Sequence, residues 1–528
     1  MLRRILTCVA AIAAVAPPLN AQATPTVPPA AQVYRDLDRM AALGLIDTLL
    51  VGVRPLTERE VILALQQAKA NLDRNPSARE WAASTIDVYL RRFRRAKVRL
   101  LDSAVVEVGR LSSPSRAAPS DGNGSVDADI NPLAAYRGGR PLVHGATFAL
   151  ETAHSVVLGR YVAIALNPRF TQTTPSVGRE ASTVRVQTGS VNALFGDFAI
   201  QAGRDYVTLG QSPVGGLLLS DNAPPLDMVR IWNDRAWWVP GVSRVLGKMR
   251  GSAFVGDLGA SRQLHPHSRL IGYHVATLPH PQLEFGVQVI DAMGGQGGQP
   301  ATLWNRFLDA IPVVDAFRTS SDFQFSNKLA GIDLHWRMPR WAGFELYGEG
   351  NADDFDGRNL ARGFLEDAGY LIGTSFSCLV RCGRVGVRAE YHQTGIRYYT
   401  HFDYPMAKDG LLLGDPLGPR GTGGYFTIDT DGAGAGRFAL SGGFEARSGN
   451  TYHPVTTGPR DAGFHFELVT RRPSEKRGRV LASWTGSSET PISMQLSAGV
   501  ERVANFDFIA GANRINWLAR VAIVGRVP

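Results

Sequence analysis

Cysteine is nearly absent: three occur in 528 residues, and Cys8 sits in the N-terminal apolar stretch. After that stretch no apolar run reaches the ~20 residues of a membrane-spanning helix. The charge excess is modest, +9 in all. It is scattered along the chain, which argues against nucleic acid as a partner. Catalytic groupings are also missing. Ser220-Asp221-Asn222 has no Ser-x-x-Lys or Lys-Thr-Gly to complete a β-lactamase-type site. His265 and His267 lack a third metal ligand, and Gly294 to Gly298 lacks the strand-to-helix context of a phosphate cradle. No catalytic residue, metal or cofactor is therefore expected.

What the chain does have is strict alternation. Ile332, Leu334, Trp336 and Met338 interleave with Asp333, His335 and Arg337. Val385, Val387, Ala389 and Tyr391 interleave with Arg388, Glu390 and His392. A period of two means strand, with one apolar face and one ionised face. The pattern runs from about Ala104 to the end without a linker-like break. Arg3 and Arg4, the apolar Ile5 to Ala16, and Ala21-Gln22-Ala23 form a secretion signal with cleavage expected after Ala23. An exported chain without an apolar helix enters a membrane only as a closed barrel. The expected fold is an all-β transmembrane barrel of about 16–18 antiparallel strands. Mixed charges such as Glu284, Asp333, Arg337, Glu349, Glu390, Glu445, Glu467 and Glu501 predict a cross-lumen ion-pair network.

The organisation read from the chain is a signal peptide over 1–23, a disordered Pro-rich leader over 24–32, a helical domain over 33–101 and the barrel over 104–528. Leu37, Met40, Ala41 and Leu45 share a helical face. Thr57 and Glu60 make a capping box. A third helix is expected over 77–98. Gly210 to Pro225 and Tyr398 to Asp431 read as long loops.

Cys378 and Cys382 would lie roughly 13 Å apart in an extended strand, beyond disulfide reach. An oxidising envelope favours a bond, with the segment folded back as a hairpin tip. Two free thiols are the alternative. Sugar binding needs carboxylates or amides for hydroxyl pairs and aromatic faces for the ring. Tyr398, Tyr399, His401, Asp403 and Tyr404 bring these types together. Trp237 and Trp238 form a second candidate platform, or else part of an aromatic girdle. Asp353, Asp354 and Asp356 before Gly357 resemble half a calcium loop, but its first and twelfth places would be Ala352 and Gly363. An acidic loop able to meet sugar hydroxyls is the other reading. Asp429 and Asp431 carry the same ambiguity.

Leu37-Asp38-Arg39-Met40-Ala41-Ala42-Leu43-Gly44-Leu45, Ser220-Asp221-Asn222-Ala223-Pro224-Pro225, Glu345-Leu346-Tyr347-Gly348-Glu349 and Leu413-Gly414-Asp415-Pro416-Leu417-Gly418-Pro419 resemble the Wzi family of capsule-assembly outer-membrane proteins. The resemblance implies an 18-stranded barrel in the bacterial outer membrane with its helical domain in the periplasm. It implies a non-catalytic, lectin-like role holding capsular or other surface polysaccharide. Outer-membrane lipid and lipopolysaccharide are the other expected partners, and a monomer is the expected state. The alternative function is a porin or uptake channel.

Overall fold

The alternating segments pair into one sheet that closes on itself. The structure is a computed structural model and describes residues 22–93, 97–118, 126–130, 133, 138–140, 142–213, 216–262, 264–298, 302, 326–353, 368–432, 436–455, 465–470, 472–487 and 490–527. The barrel begins with β1 (Val98–Leu111), β2 (Gly145–Leu158), β3 (Val162–Pro175), β4 (Ala181–Phe195), β5 (Phe198–Asp205) and β6 (Leu226–Asn233). It continues through β7 (Lys248–Asp257), β8 (Arg269–His280), β9 (Leu283–Met293), β10 (Ser326–Met338), β11 (Phe344–Asp353) and β12 (Ala368–Phe376). It ends with β13 (Val385–Thr394), β14 (Gly421–Asp431), β15 (Arg437–Arg447), β16 (Glu475–Thr485), β17 (Ile492–Ala504) and β18 (Asn513–Arg526). Each strand is antiparallel to the next, and β18 returns to β1 with Val521 opposite Val108.

The burial pattern is inverted relative to a protein bathed in water. On β10, Ile332, Leu334 and Trp336 are 53%, 39% and 45% exposed, while Asp333, His335 and Arg337 between them are 1%, 4% and 2% exposed. Leaving so much apolar surface in water costs about 25 cal/mol per Å². Hydrocarbon around the wall removes that cost, and closure leaves no unpaired strand edge. Among the described residues no helix is long and apolar enough to cross a membrane. The molecule is a transmembrane barrel.

Its two ends differ. Short connections at 159–161, 196–197, 281–282, 339–343 and 432–436 join strands at the end where β1 starts and β18 stops. Long connections at 112–144, 206–225, 395–420 and 448–474 lie at the other. Short turns mark the periplasmic end of such barrels, and long loops the cell-surface end.

Three helices, α1 (Gln32–Ala42), α2 (Glu58–Ala70) and α3 (Arg79–Phe93), close the short-turn end. Leu37, Met40, Val61, Leu65, Trp81, Ile86 and Tyr89 are buried in one cluster. The capping box forms: Glu60 N–H donates to Thr57 Oγ1 (3.1 Å) and Thr57 N–H to Glu60 Oε2 (2.7 Å). The last helix is shorter than expected, because Asn75 caps a separate 3₁₀ turn over Pro76–Ala78. Barrel residues anchor the helices: Arg437 forks onto Asp36 (2.6 and 2.7 Å), and Arg39 pairs with Asp429 (2.6 Å). Asp431 accepts from the Trp81 indole (3.1 Å). Asp429 and Asp431 thus anchor the helices and leave no half-built calcium loop. Burial pushes the Asp36 carboxyl up, but the Arg437 guanidinium overrides this and holds it below the usual range.

Three further expectations are corrected. The leader is ordered: Thr26 bridges to Thr57, Val27 N–H donates to Leu56 O (2.8 Å), and Thr26 Oγ1 donates to Asp205 (2.6 Å). Proline-set extended backbone found strand-like partners there. The stretch Tyr398 to Asp431 is not all loop, since its last part is β14. The segment carrying Glu467 forms a two-stranded hairpin with Thr451–Val455 and lies outside the barrel sheet.

Candidate functional site

The lumen is where the structure spends its charges. Residues 43–57 enter from the helical end, and the loop 206–225 enters from the long-loop end. They meet in a two-stranded ladder, Val53 opposite Leu209 and Arg54 opposite Thr208. Wall carboxylates cap this junction. Glu284 accepts from the backbone N–H of Val51 (3.0 Å) and Gly52 (2.9 Å), and from the Arg337 guanidinium (3.2 Å). Glu349 accepts from the N–H of Gln211 (2.6 Å) and Leu217 (3.0 Å). The Gln211 side chain donates to Asp333, which also meets His274 (2.8 Å). The expected cross-lumen network is present, and it grips backbone as well as opposite charge. Arg479 and Arg447 on Glu445 extend it (2.6 and 3.0 Å).

A second inward loop, 395–420, packs against the first. Ser220 N–H donates to Leu413 O (2.8 Å), Ser220 Oγ to Gly414 O (2.6 Å), and Asn222 Nδ2 to Leu412 O (2.9 Å). The Ser220-Asp221-Asn222 and Leu413-Gly414-Asp415 blocks are therefore one loop–loop seam. A Cβ on Gly414 would strike the Leu217 carbonyl and the Tyr399 hydroxyl.

This seam consumes part of the expected sugar site. Tyr398 and Tyr399 are wholly buried. Tyr399 donates its hydroxyl to Leu217 O and accepts from Asp415 N–H (2.8 Å), while its own N–H meets Asp353 (3.1 Å). Burial pushes both phenols well above their ordinary range, so they are neutral struts. Asp353 is buried with them. Asp354 and Asp356 lie outside the described residues. His401 is buried too, its Nδ1 accepting from the N–H of Asp403 and Tyr404 (both 3.0 Å). Tyr404 packs its ring on His265 (5.1 Å between centroids).

What remains at the surface is Phe402, 51% exposed and stacked on His401 (4.4 Å), beside the half-exposed Asp403. His265 Nε2 lies 3.5 Å from the Asp403 carboxylate. An apolar ring face, a carboxylate and an imidazole thus share one patch at the long-loop end. His265 was missed as part of this patch because its partner lies 138 positions away in the chain; only the fold joins them.

Trp237 and Trp238 belong to the turn 234–247, at the opposite end of the barrel. They share no site with Asp403. Trp237 meets Phe198 edge-to-face (4.4 Å) and Trp238 faces outward. Cys378 and Cys382 are joined by a disulfide in the turn 377–384, at the helical end. Among the described residues no three His, Cys, Asp or Glu side chains converge on a metal-sized site.

Wzi of Escherichia coli, an outer-membrane, carbohydrate-binding β-barrel involved in group 1 capsule assembly, is 17% identical. The alignment covers 96% of this chain and 100% of that one, with a TM-score of 0.68, so the two share a fold. The Pseudomonas aeruginosa barrels OprD (8% identity, 81% of this chain and 95% of that, TM-score 0.42) and OccD3 (10%, 81% and 92%, 0.44) are more distant. No curated protein matches the sequence. The family model described as "Capsule assembly protein Wzi" matches residues 125–517. The chain belongs to the Wzi family of capsule-assembly proteins.

Proposed function

We propose that this chain is a non-catalytic, monomeric outer-membrane barrel that binds capsular or other surface polysaccharide at its long-loop end. The observation carrying this reading is the plugged lumen, where Val53–Arg54 pairs with Thr208–Leu209 across the barrel axis. A barrel whose described interior is filled by buried side chains and inserted segments offers its loop surface for work. Family membership and the carbohydrate-binding character of the E. coli protein of the same fold support the ligand class. The Phe402–Asp403–His265 patch supplies the chemistry: an aromatic face for the apolar side of a sugar ring and a carboxylate for paired hydroxyls.

Titration of the detergent-solubilised protein with purified capsular polysaccharide tests the reading. Binding is expected. Phe402→Ala with Asp403→Asn should weaken it about tenfold, in line with loss of one stacking face and one charge-assisted hydrogen bond. Wild-type protein that ignores every polysaccharide offered would refute the function. Binding untouched by the double substitution would move the site elsewhere on the loop face.

A further inference from the structure

The periplasmic rim carries groups that neither the plug nor the glycan reading uses. Three turns pair an outward aromatic with a basic residue: Arg160 with Tyr161, Arg235 and Lys248 with Trp238, and Arg340 with Trp341. The aromatics are 51%, 60% and 67% exposed. Arg160, Arg235, Lys248 and Arg340 have no hydrogen-bonded or ionic side-chain partner among the described residues. Basic groups that face the helices at the same end behave differently: Arg39, Arg59 and Arg437 each sit on a carboxylate. The three turns fall between β2 and β11, whereas the turn at 432–436 is made only of Gly and Ala.

We propose that this arc binds the phosphodiester headgroups of anionic phospholipid in the periplasmic leaflet. Aromatic rings settle at the depth of the lipid esters, where one edge is wet and the body apolar. Each adjacent cation then stands at headgroup level, where an anionic surface attracts it. Asp234, next to Arg235 in the chain, is held by Arg59 and Thr57. The headgroup phosphates would supply the charge that these four cations lack within the chain. The inference rests on the transmembrane barrel and is independent of the polysaccharide reading.

Native mass spectrometry of the full chain released from detergent, after exposure to phosphatidylglycerol or phosphatidylcholine of the same acyl length, tests it. Phosphatidylglycerol should be retained about tenfold over phosphatidylcholine. The variant Arg235→Ala/Lys248→Ala/Arg340→Ala should fall to the phosphatidylcholine level, while Lys69→Ala on α2 should leave retention unchanged. If the triple variant loses its heat-resistant compact band on electrophoresis, Arg340→Ala alone is read, with a partial loss expected. Equal retention of both lipids, or unchanged retention by the variants, overturns the proposal. So does displacement of the lipid by equimolar inorganic phosphate, which would mark a small-anion site. Polysaccharide binding by the triple variant should stay at the wild-type level, separating this surface from the glycan patch.

Discussion

Glu284 and Glu349 are ordinary strand carboxylates in the sequence, and in the structure they hold the plug. Each accepts backbone N–H groups of inserted segments, so one side chain satisfies what would otherwise be buried, unpaired donors. Glu284→Ala leaves Arg337 and two amides in the lumen without that partner. Its expected cost is about 3 kcal/mol or more, read as a lower urea midpoint for the detergent-solubilised protein. Glu60 gives a pH dependence. Burial pushes its carboxyl up, against the pull of Arg250, from 4.5 to about 7. A raised folded-state value means that stability is fully present below 4.5 and is lost as pH rises through about 7. Docking of α2 should therefore loosen as pH rises from 4.5 to about 7, as judged by amide exchange, and Glu60→Gln should flatten the profile. At this scale the sequence was half legible. Alternation identified Glu284, Asp333 and Glu349 as inward-facing. It could not show that Tyr398 and Tyr399 turn inward too, because loops have no period to betray their direction.

Among elements, the turn 377–384 shows how the barrel holds its helices. Gly383 has φ +78° and lies so close to the Trp81 ring that a Cβ would collide with it; its carbonyl accepts from Arg39 (3.2 Å). The Cys378–Cys382 disulfide pins this turn. Gly383→Val should push Trp81 out of its seat, seen as increased tryptophan exposure to acrylamide, with β-sheet circular dichroism retained. Reduction with Cys378→Ser should be milder, about 2 kcal/mol, in thermal melts of the helical part. Strands and helices were read well where an amphipathic period existed, as in β10 and α1. The order of the leader is not legible, because proline-rich extended chain has the same composition whether it docks or floats. Trp237 and Trp238 are separable from the Phe402–Asp403 patch only by knowing which connections lie at which end, and that requires the whole strand count.

For the whole molecule, two partitions matter: hydrocarbon outside, and an interior that is ion-paired and occupied by inserted segments among the described residues. A long apolar belt with buried charge inside is stable only if both partitions exist together. The segments that meet at Val53 and Leu209 come from opposite ends of the barrel, so opening a pore requires breaking that ladder and its carboxylate caps. Removing Glu284 and Glu349 together should loosen the plug enough to give flickering current. The direct measurement is ionic current through the intact protein in planar lipid bilayers. The account predicts a silent membrane after insertion, and large, stable openings from the unaltered chain would contradict it.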